Sequence, residues 1–450
     1  MDKCEIALEL SNLINSCLMP ELRVDVGEEN ISSDNFSEFR KILDGNLIIV
    51  FDMIQANEDL LYEEDSNCKE LQMRFILLLC EQSSPYSNQW HQTRSQHLLD
   101  NVITLIDKHF KKILTLDKVE KEIFDHYKSK LNVSSWKRNI GTVIGFQQYL
   151  DLKYNKYHIK ITNDAVAFML SVGLLLQDFF DPNFKGMANK IFKLILSETD
   201  KDHLIKMNIN NLIFEELKRD IYKCDSHENL ELLWDNLIKC QKINNFYTFE
   251  KFTDVDYLIK DLCHQIVLAK SFEIWLTLMK NLVRLFLEFS LNTFKVKSLI
   301  VEKEENCLEN ICELRKECLD IDPGIAYRWA KTIMECLIAV SNYLMGISGK
   351  TLQALNIFHI CYLVWILPMD INICDDLLEN FFKKFSTVLM EVVKLNKQNP
   401  VLCDGVNEFF NTFIYHIKNK GQNLHDDSKF RKFITTFEEV ILCVNNYLKL

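Results

Sequence analysis

Apolar residues recur every three or four positions through most of the chain, which is the period of an amphipathic α-helix. The segment after Asp181 shows the pattern clearly, because Lys185, Asn189 and Lys193 fall on one side and apolar residues on the other. The apolar side consists of Phe184, Met187, Ala188, Ile191, Phe192 and Ile195. No segment shows the sustained alternation with hairpin turn signals that a β-sheet needs. The pattern therefore predicts an all-α protein with about 18 to 20 helices.

Two aspartates and an asparagine directly precede a proline, and each pair has the form of a helix start. Asp181 and Asp322 are predicted helix caps, because their side chains can accept hydrogen bonds from the first turn. Proline is tolerated at the next position, where its missing N–H has no helical partner. Asn399 followed by Pro400 predicts a third start. The corner from Asp178 to Asp181 could also contact a partner protein, but bracing of the turn is the favoured interpretation.

Successive helices with short polar connections are typical of a helical bundle or of stacked helical hairpins. A length of 450 residues without an obvious break favours the second, an irregular HEAT-like α-solenoid, although no fixed repeat is visible. We expect a less regular N-terminal helical region over residues 1–130 and a continuous HEAT-like region over residues 131–450. The longest uncharged stretch, residues 351–369, contains Gln353 and Asn356, which favours a buried central helix over a membrane span.

Composition agrees with this interpretation and narrows the class of protein. Only 11 glycines and 6 prolines are present, whereas sheets and barrels need many of both for their turns. The net charge of −12 disfavours nucleic-acid binding, and the basic cluster around His109 is expected on a solvated helix face. The 15 cysteines show no paired framework, which is typical of a reducing compartment, and the first residues lack a secretory signal pattern. We therefore expect a cytoplasmic protein, present in the nucleus as an alternative, without a membrane span.

The sequence contains no recognisable catalytic, cofactor or metal constellation. Neither Cys-x-x-Cys pairs nor a His-Glu-x-x-His pattern occur. Cys263 and His264 are adjacent, and adjacent helix residues point about 100° apart, so they cannot form a nucleophile–base hydrogen bond there. The run from Gly346 to Thr351 ends like a phosphate-binding loop, yet Leu344 stands where that pattern requires its first glycine. We therefore expect a non-enzymatic protein with no cofactor and no metal.

Residues 135–216 contain a motif in two parts. The first part is Trp-Lys-x-Asn, and the second is an apolar run that ends in an Asp-aromatic corner, with a lysine and a glycine on the next helix. The matching residues are Trp136, Lys137, Asn139, Asp178, Phe179, Lys185 and Gly186. The motif resembles the central region of the Tel-two-interacting protein two family, whose corner has two aspartates where this chain has Gln177 and Asp178. Outside this segment only helical character and length agree.

The resemblance implies an all-α, HEAT-like scaffold or co-chaperone subunit of the Triple-T complex, without enzymatic activity. It implies binding to the large Tel-two-interacting protein one and to Tel two, in support of the maturation and stability of the phosphatidylinositol-3-kinase-related kinases (the PIKK family). The ninety-kilodalton heat-shock chaperone and its R2TP-type adaptor would act alongside. The motif residues would be structural.

Two other functions stay open beside this one. An unrelated helical-repeat adaptor in trafficking or transport is the alternative, and an enzyme with an unfamiliar all-α site would require a deep polar pocket. The apolar segments after Ala330 are candidate partner contacts, although ordinary core is favoured for the helix that begins at Thr351.

Overall fold

The computed structural model describes most of the chain between Lys3 and Lys420. The described residues are 3–27, 36–63, 65–86, 96–116, 118–224, 226–244, 251–290, 293–301, 311–319, 321–322, 324–346, 350–369, 375–396 and 398–420. The chain divides into two compact units, the first ending at Ile209 and the second beginning at Asn210. The expected division into residues 1–130 and 131–450 stays a prediction.

The first unit is built of α-helices joined by short connections. Its helices are α1 (Lys3–Cys17), α2 (Ser37–Ala56), α3 (Ser66–Ser83), α4 (Gln96–Leu105), α5 (Lys111–Leu114), α6 (Val119–Lys130), α7 (Ile140–Leu150), α8 (Asn163–Gln177), α9 (Pro182–Glu198) and α10 (Lys201–Lys206). Short 3-10 helices cover Glu58–Tyr62 and Trp136–Arg138, and π-helical turns cover Ile106–Phe110 and Asp151–Lys156. The first π-helical turn joins α4 directly to α5, so these two form one continuous helix.

Helix α3 lies at the centre of the first unit. Its segment from Phe75 to Cys80 is buried throughout, with no residue more than 4% exposed. The helix packs against α1, α4, α6 and α7, so its apolar residues face several neighbours at once. Gln82 connects α3 to the end of α1 by donating a hydrogen bond from its side chain to the carbonyl of Cys17, at 3.1 Å. Burial of this nearly continuous apolar run explains why α3 is the centre of the core.

Lys153 is a charged residue within the same core. Its side chain is 1% exposed, and its ammonium forms an ion pair with Glu120. The ammonium also lies 4.9 Å from the ring centroid of Phe124 and 4.8 Å from that of Tyr154, which is a cation–π arrangement. Burial lowers the pKa of Lys153, while the hydrogen bond and the charge of Glu120 oppose that change. The aromatic rings and Glu120 together compensate for the loss of hydration.

His109 corrects one expectation about the surface. We expected the basic cluster around it on a solvated face, but His109 is only 1% exposed and its Nδ1 lies 2.7 Å from the hydroxyl of Tyr62. The neighbouring Lys108 and Lys112 are exposed, and Lys108 forms an ion pair with Glu58. The expectation rested on the charged residues beside His109, whereas His109 lies in a π-helical turn in which Ile106 and Phe110 are also buried.

The second unit is also helical in its described residues. Its helices are α11 (Ile209–Lys218, which begins at the last residue of the first unit), α12 (His227–Asn244), α13 (Asp254–Val267), α14 (Phe272–Phe289), α15 (Phe294–Val301), α16 (Ile311–Leu319), α17 (Gly324–Ala339), α18 (Tyr343–Gly346), α19 (Thr351–Trp365), α20 (Asp375–Leu395) and α21 (Pro400–Lys420). Helix α12 packs on α14, α13 on α17, and α14 on α19.

Helix α19 is the buried centre of the second unit, and it coincides with the uncharged stretch of the sequence. The side chain of Trp365 is fully buried and donates a hydrogen bond to the carbonyl of Leu282 on α14, at 3.1 Å. On another side of α19, His359 lies 2.7 Å from the hydroxyl of Thr412 on α21 and stacks on Phe409. Burial lowers the pKa of His359 to about 3, so its imidazole is neutral. The prediction of a buried central helix is confirmed.

A fully buried carboxylate, that of Asp256, connects α13 to α17. Its Oδ2 accepts hydrogen bonds from the backbone N–H of Thr253, at 2.8 Å, and from Arg328 of α17, at 2.7 Å. Its Oδ1 accepts a hydrogen bond from the indole N–H of Trp329, at 2.8 Å. Asp256 therefore closes the start of its own helix and holds a second helix against it.

Helices begin where the aspartate–proline and asparagine–proline pairs predict. Asp322 accepts a hydrogen bond from the backbone N–H of Gly324, the first residue of α17, at 3.0 Å; the residue between them, Pro323, lies outside the described residues. Asn399 accepts one from the backbone N–H of Leu402, at 3.2 Å, as α21 begins. Both contacts are those of a helix start.

The prediction of an all-α protein is confirmed, because no β-strand occurs among the described residues. With α4 and α5 counted as one, the described part of the chain contains twenty helices, at the upper end of the predicted range. None of the helices in the described ranges combines the length and the apolar character needed to cross a membrane.

Candidate functional site

The two parts of the sequence motif meet at one place in the first unit. Trp136 begins the 3-10 helix before α7, Phe179 lies in the connection between α8 and α9, and Phe184 lies in the first turn of α9. The ring centroids of Trp136 are 5.3 Å from Phe179 and 5.6 Å from Phe184, and those of the two phenylalanines are 5.5 Å apart. Interplanar angles of 88°, 76° and 77° make all three contacts edge-to-face, a favoured geometry. We call these three residues the aromatic corner.

The connection between α8 and α9 is short because each helix end is closed locally. The backbone N–H of Asp178 donates to the carbonyl of Leu174, at 3.1 Å, and completes the last turn of α8. Asp181 is extended, with φ −71° and ψ 124°, and its side chain accepts from the backbone N–H of Asn183, at 2.8 Å, with Pro182 in the first turn. The side chain of Asp178 is exposed and forms no hydrogen bond with the described part of the chain. The backbone of Asp178 and the side chain of Asp181 therefore fix the turn between α8 and α9.

Close packing of α8 on α9 supports the aromatic corner. A Cβ atom at Gly173 of α8 would lie 2.6 Å from Cε1 of Phe192 on α9, so the helices approach more closely than any larger residue would permit. Gly186 is buried in α9 and Lys185 is half-buried. The carbonyl of Lys185 accepts a hydrogen bond from the side chain of Asn189, at 2.9 Å. These two motif residues thus belong to the helix that supports the corner.

Lys137 and Asn139 hold the other side of the aromatic corner. The ammonium of Lys137 lies 5.7 Å from the ring centroid of Phe179, which is within cation–π range. Asn139 is buried, and its side chain donates to the carbonyl of Ser135, at 2.8 Å. Its backbone N–H donates to the carbonyl of Trp136, at 3.0 Å. Asn139 therefore closes the turn that presents the indole of Trp136 to the two phenylalanines.

An N-terminal segment that the motif does not include also packs here. The backbone N–H of Leu22 donates to the carbonyl of Arg138, at 2.8 Å, and that of Val26 donates to the carbonyl of Lys137, at 3.2 Å. Arg138 in turn lies 3.6 Å from the carboxylate of Asp25. The segment after α1 is thus fixed to the 3-10 helix by backbone bonds and an ion pair.

Gly27 is the last described residue of this segment, and it packs against the aromatic corner. Its φ of +98° favours glycine, and a Cβ atom there would lie 3.1 Å from both Phe179 and Phe180. The motif does not reveal this contact, although a glycine in a chain with so few of them is an available signal.

The rings at the corner differ sharply in exposure. Phe179 is 8% exposed, whereas Phe180, whose ring centroid is 4.4 Å away, is 72% exposed. Val133, in the loop before Trp136, is 77% exposed. A buried aromatic cluster is ordinary core, while an exposed ring that continues it can contact another protein. The corner therefore has a structural inner layer and an exposed aromatic edge.

A cleft of about 690 Å³ in the first unit is lined by α1, α2, α3, α6 and α7. Glu81 lies at its wall, is 4% exposed, and accepts a hydrogen bond from the backbone N–H of Met19, at 2.7 Å. Burial lowers the pKa of His126, and the charges of Lys130 and Arg74 lower it further, so the imidazole is neutral at pH 7. The carboxylate of Glu81 thus holds the connection after α1, which is a structural role.

The residues whose side chains could bind a metal ion or take part in catalysis make structural contacts. Within the described ranges, no group of three or more histidine, cysteine, aspartate or glutamate residues could hold a metal ion. A hydrogen bond with Cys336 and burial raise the pKa of Cys263 well above its usual value, so this thiol stays protonated. Lys350 forms an ion pair with Glu273, and residues 347–349 of the glycine-containing run lie outside the described residues.

The structure therefore brings together Trp136, Lys137 and Phe179 among the predicted residues, with Asn139 supporting them. Sequence analysis placed Phe184 on an apolar helix face but did not connect it to Trp136. No family model, curated protein or solved structure matches this chain.

Proposed function

We propose that this chain is a non-enzymatic scaffold that binds other proteins, as a subunit of the Triple-T complex. The observation that carries the proposal is the aromatic corner. Trp136 and Phe179, which belong to separate parts of the motif that resembles the Tel-two-interacting protein two family, pack edge to face. Packing of the two parts on each other supports a motif of one fold rather than a chance match of isolated residues.

The proposal includes an irregular HEAT-like α-solenoid. Consecutive helices that pack as pairs support it, namely α8 with α9 in the first unit, and α13 with α14 and α20 with α21 in the second. Stacked helical pairs expose long helix faces, and such faces suit contacts with another helical protein.

In this proposal the partners are the large Tel-two-interacting protein one and Tel two. The chain then supports maturation of PIKK-family kinases beside the ninety-kilodalton heat-shock chaperone and its R2TP-type adaptor, in the cytoplasm or also in the nucleus. The cysteines of the described residues are free, and most of them are buried, which agrees with a reducing compartment.

Partner contacts in the C-terminal part must be sought on exposed residues rather than by truncation. Removal of residues after 320 would delete α19 from the core of the second unit and leave the apolar face of α14 uncovered. Leu395 at the end of α20 is 66% exposed, and Val401 at the start of α21 is 48% exposed. Substitution of these side chains by glutamate changes the surface while the core is retained.

The test is affinity purification of the tagged full chain from cells, with identification of bound proteins by mass spectrometry. We expect the two Triple-T partners and PIKK-family kinases to be enriched over a tag-only control. Recovery of transport or membrane-trafficking components in their place would contradict the proposal and support the alternative adaptor. Leu395→Glu and Val401→Glu in the same experiment tell whether the end of the second unit contributes to binding.

A further inference from the structure

Helix α2 carries apolar residues on both of its sides. Its inner side is buried and packs against α1, as the amphipathic pattern requires. Its outer side exposes Ile42, Ile48 and Ile49, which are 50%, 51% and 49% exposed. Together with Gly45, which lies between them at helical spacing, these residues form what we call the α2 face. Single exposed apolar residues are ordinary, but three isoleucines within two turns of one helix mark an interaction surface.

Gly45 provides a second and independent observation. A glycine in the interior of a helix is less favourable than alanine. Elsewhere in this unit a helical glycine has a packing reason, since a Cβ atom at Gly173 would collide with Phe192. At Gly45 no atom of the described residues lies within 4 Å of the position that a Cβ atom would occupy. No neighbour in the described part of the chain therefore requires glycine here, whereas a helix crossing closely from outside would.

The charges beside the α2 face indicate the chemistry of the partner. Asp44 and Asp52 are exposed and form no ion pair within the described part of the chain. Both line a shallow cavity of about 370 Å³, together with Ile48, Leu98 and His97. Glu38 and Lys41 are also exposed on this side of α2, so three carboxylates and one ammonium border the isoleucines. This excess of negative charge complements an apolar helix that carries lysine or arginine beside its apolar stripe.

We infer that the α2 face binds an amphipathic helix of another protein, whose apolar side chains contact the isoleucines and whose basic side chains pair with Asp44 and Asp52. The inference rests on the proposed function as a protein-binding scaffold and adds the place and the kind of partner. A second copy of this chain is the less suitable occupant. Glu38, Asp44 and Asp52 outnumber Lys41 on this side of α2, so the faces of two copies would repel each other.

The probes are two synthetic amphipathic helices of about five turns with identical leucine stripes. One is flanked by lysine and the other by glutamate, and binding to the purified full chain is measured by fluorescence anisotropy. We expect the lysine peptide to bind at least about tenfold more tightly than the glutamate peptide. Asp44→Asn combined with Asp52→Asn should remove most of that preference. Equal affinity of the two peptides, or of the wild-type and the double variant for the lysine peptide, would overturn the inference.

Three single variants test the apolar part of the face. Ile49→Gln should weaken binding of the lysine peptide at least about tenfold, and the matched control Ile205→Gln, on the similarly exposed Ile205 of α10, should not. Gly45→Ala should raise the melting temperature slightly, while Gly45→Gln should keep the fold, as judged by circular dichroism, and block close approach of the peptide. Unchanged peptide affinity in both Ile49→Gln and Gly45→Gln would contradict the proposed face.

Two further measurements separate the other outcomes. Sedimentation that shows a dimer of the wild-type chain and a monomer of Ile49→Glu would assign the face to a second copy and overturn the inference. Affinity purification of Ile49→Glu separates this inference from the proposed function. Retention of all Triple-T partners, together with failure of the peptide tests, would reject the α2 face and leave the proposed function standing.

Discussion

Replacement of Phe179 by alanine should destabilise the first unit far more than the same replacement of its neighbour Phe180. Phe179 is buried against Trp136 and Phe184, whereas the side chain of Phe180 is mostly in solvent. The two variants remove the same atoms from adjacent positions. Their difference therefore measures the packing of the aromatic corner and not a change of composition.

The magnitude follows from the contacts of each ring. Removal of a buried phenylalanine side chain typically costs about 3–5 kcal/mol, and this range includes the cation–π contact of Phe179 with Lys137, which is worth about 0.5–1 kcal/mol at an exposed site. Phe180 makes a ring contact with Phe179, and about 0.5–1.5 kcal/mol is an upper estimate of the energy of that contact. We expect the free energy of opening to fall by about 3–5 kcal/mol in Phe179→Ala and by less than about 1.5 kcal/mol in Phe180→Ala.

Hydrogen exchange read by mass spectrometry is the suitable assay, because a chain with two compact units need not unfold in one step. Amides in residues 136–150 and 172–190 should exchange much faster in Phe179→Ala than in the wild-type chain, and nearly at the wild-type rate in Phe180→Ala. Equal acceleration in both variants would show that the inner ring has no special structural role. Weakened partner binding in Phe180→Ala with unchanged exchange would assign the exposed ring to an interface.

Three further substitutions test other contacts by their effect on stability. Asp181→Ala should cost about 1 kcal/mol through loss of the α9 cap and lower the melting temperature; an unchanged melt with weaker partner binding would refute bracing. Asp256→Asn should cost about 3–5 kcal/mol in urea denaturation, because Arg328 loses its charged partner, and a loss below about 1 kcal/mol would contradict this. Glu120→Gln should cost about 1–2 kcal/mol at pH 7, discounted because Glu120 is partly exposed, since it leaves the buried ammonium of Lys153 uncompensated. The folded-state pKa of Lys153 is lowered, so this cost should shrink as pH rises through that pKa toward the unfolded value of 10.5, and a cost independent of pH would refute the role of the ion pair.

The helices and the central buried segment could be predicted because they depend on local pattern. The stripe that begins at Phe184 follows the helical period, and α19 lacks charge along its whole length, so burial was its only low-energy placement. The cap at Asp181 likewise depends on three neighbouring residues. None of these features requires knowledge of a distant part of the chain.

The aromatic corner could be predicted only in part, because its contacts join distant segments. Periodicity shows that Phe184 faces a core, but it cannot show that Trp136 is the ring it meets. Gly27 reaches the corner through backbone hydrogen bonds of the segment after α1, and such bonds leave no trace in residue type. His109 was misplaced for a different reason, since the expectation followed the charged residues beside it and could not include its contact with Tyr62.

Neighbouring apolar residues that differ in exposure help to distinguish a binding surface from the core. Phe179 and Phe180 are identical in type, and the direction of the chain at the corner alone decides that one is buried and the other exposed. On α2 the inner residues suffice to pack against α1. Folding of the unit therefore does not require apolar side chains at Ile42 and Ile49. In an all-α chain every helix needs one apolar face, and a second apolar face is unfavourable in water unless another protein covers it. The α2 face meets this criterion, and the ring of Phe180, in the connection between α8 and α9, is likewise an apolar group that the described part of the chain leaves exposed. These are the first places at which substitutions should impair assembly without unfolding the chain.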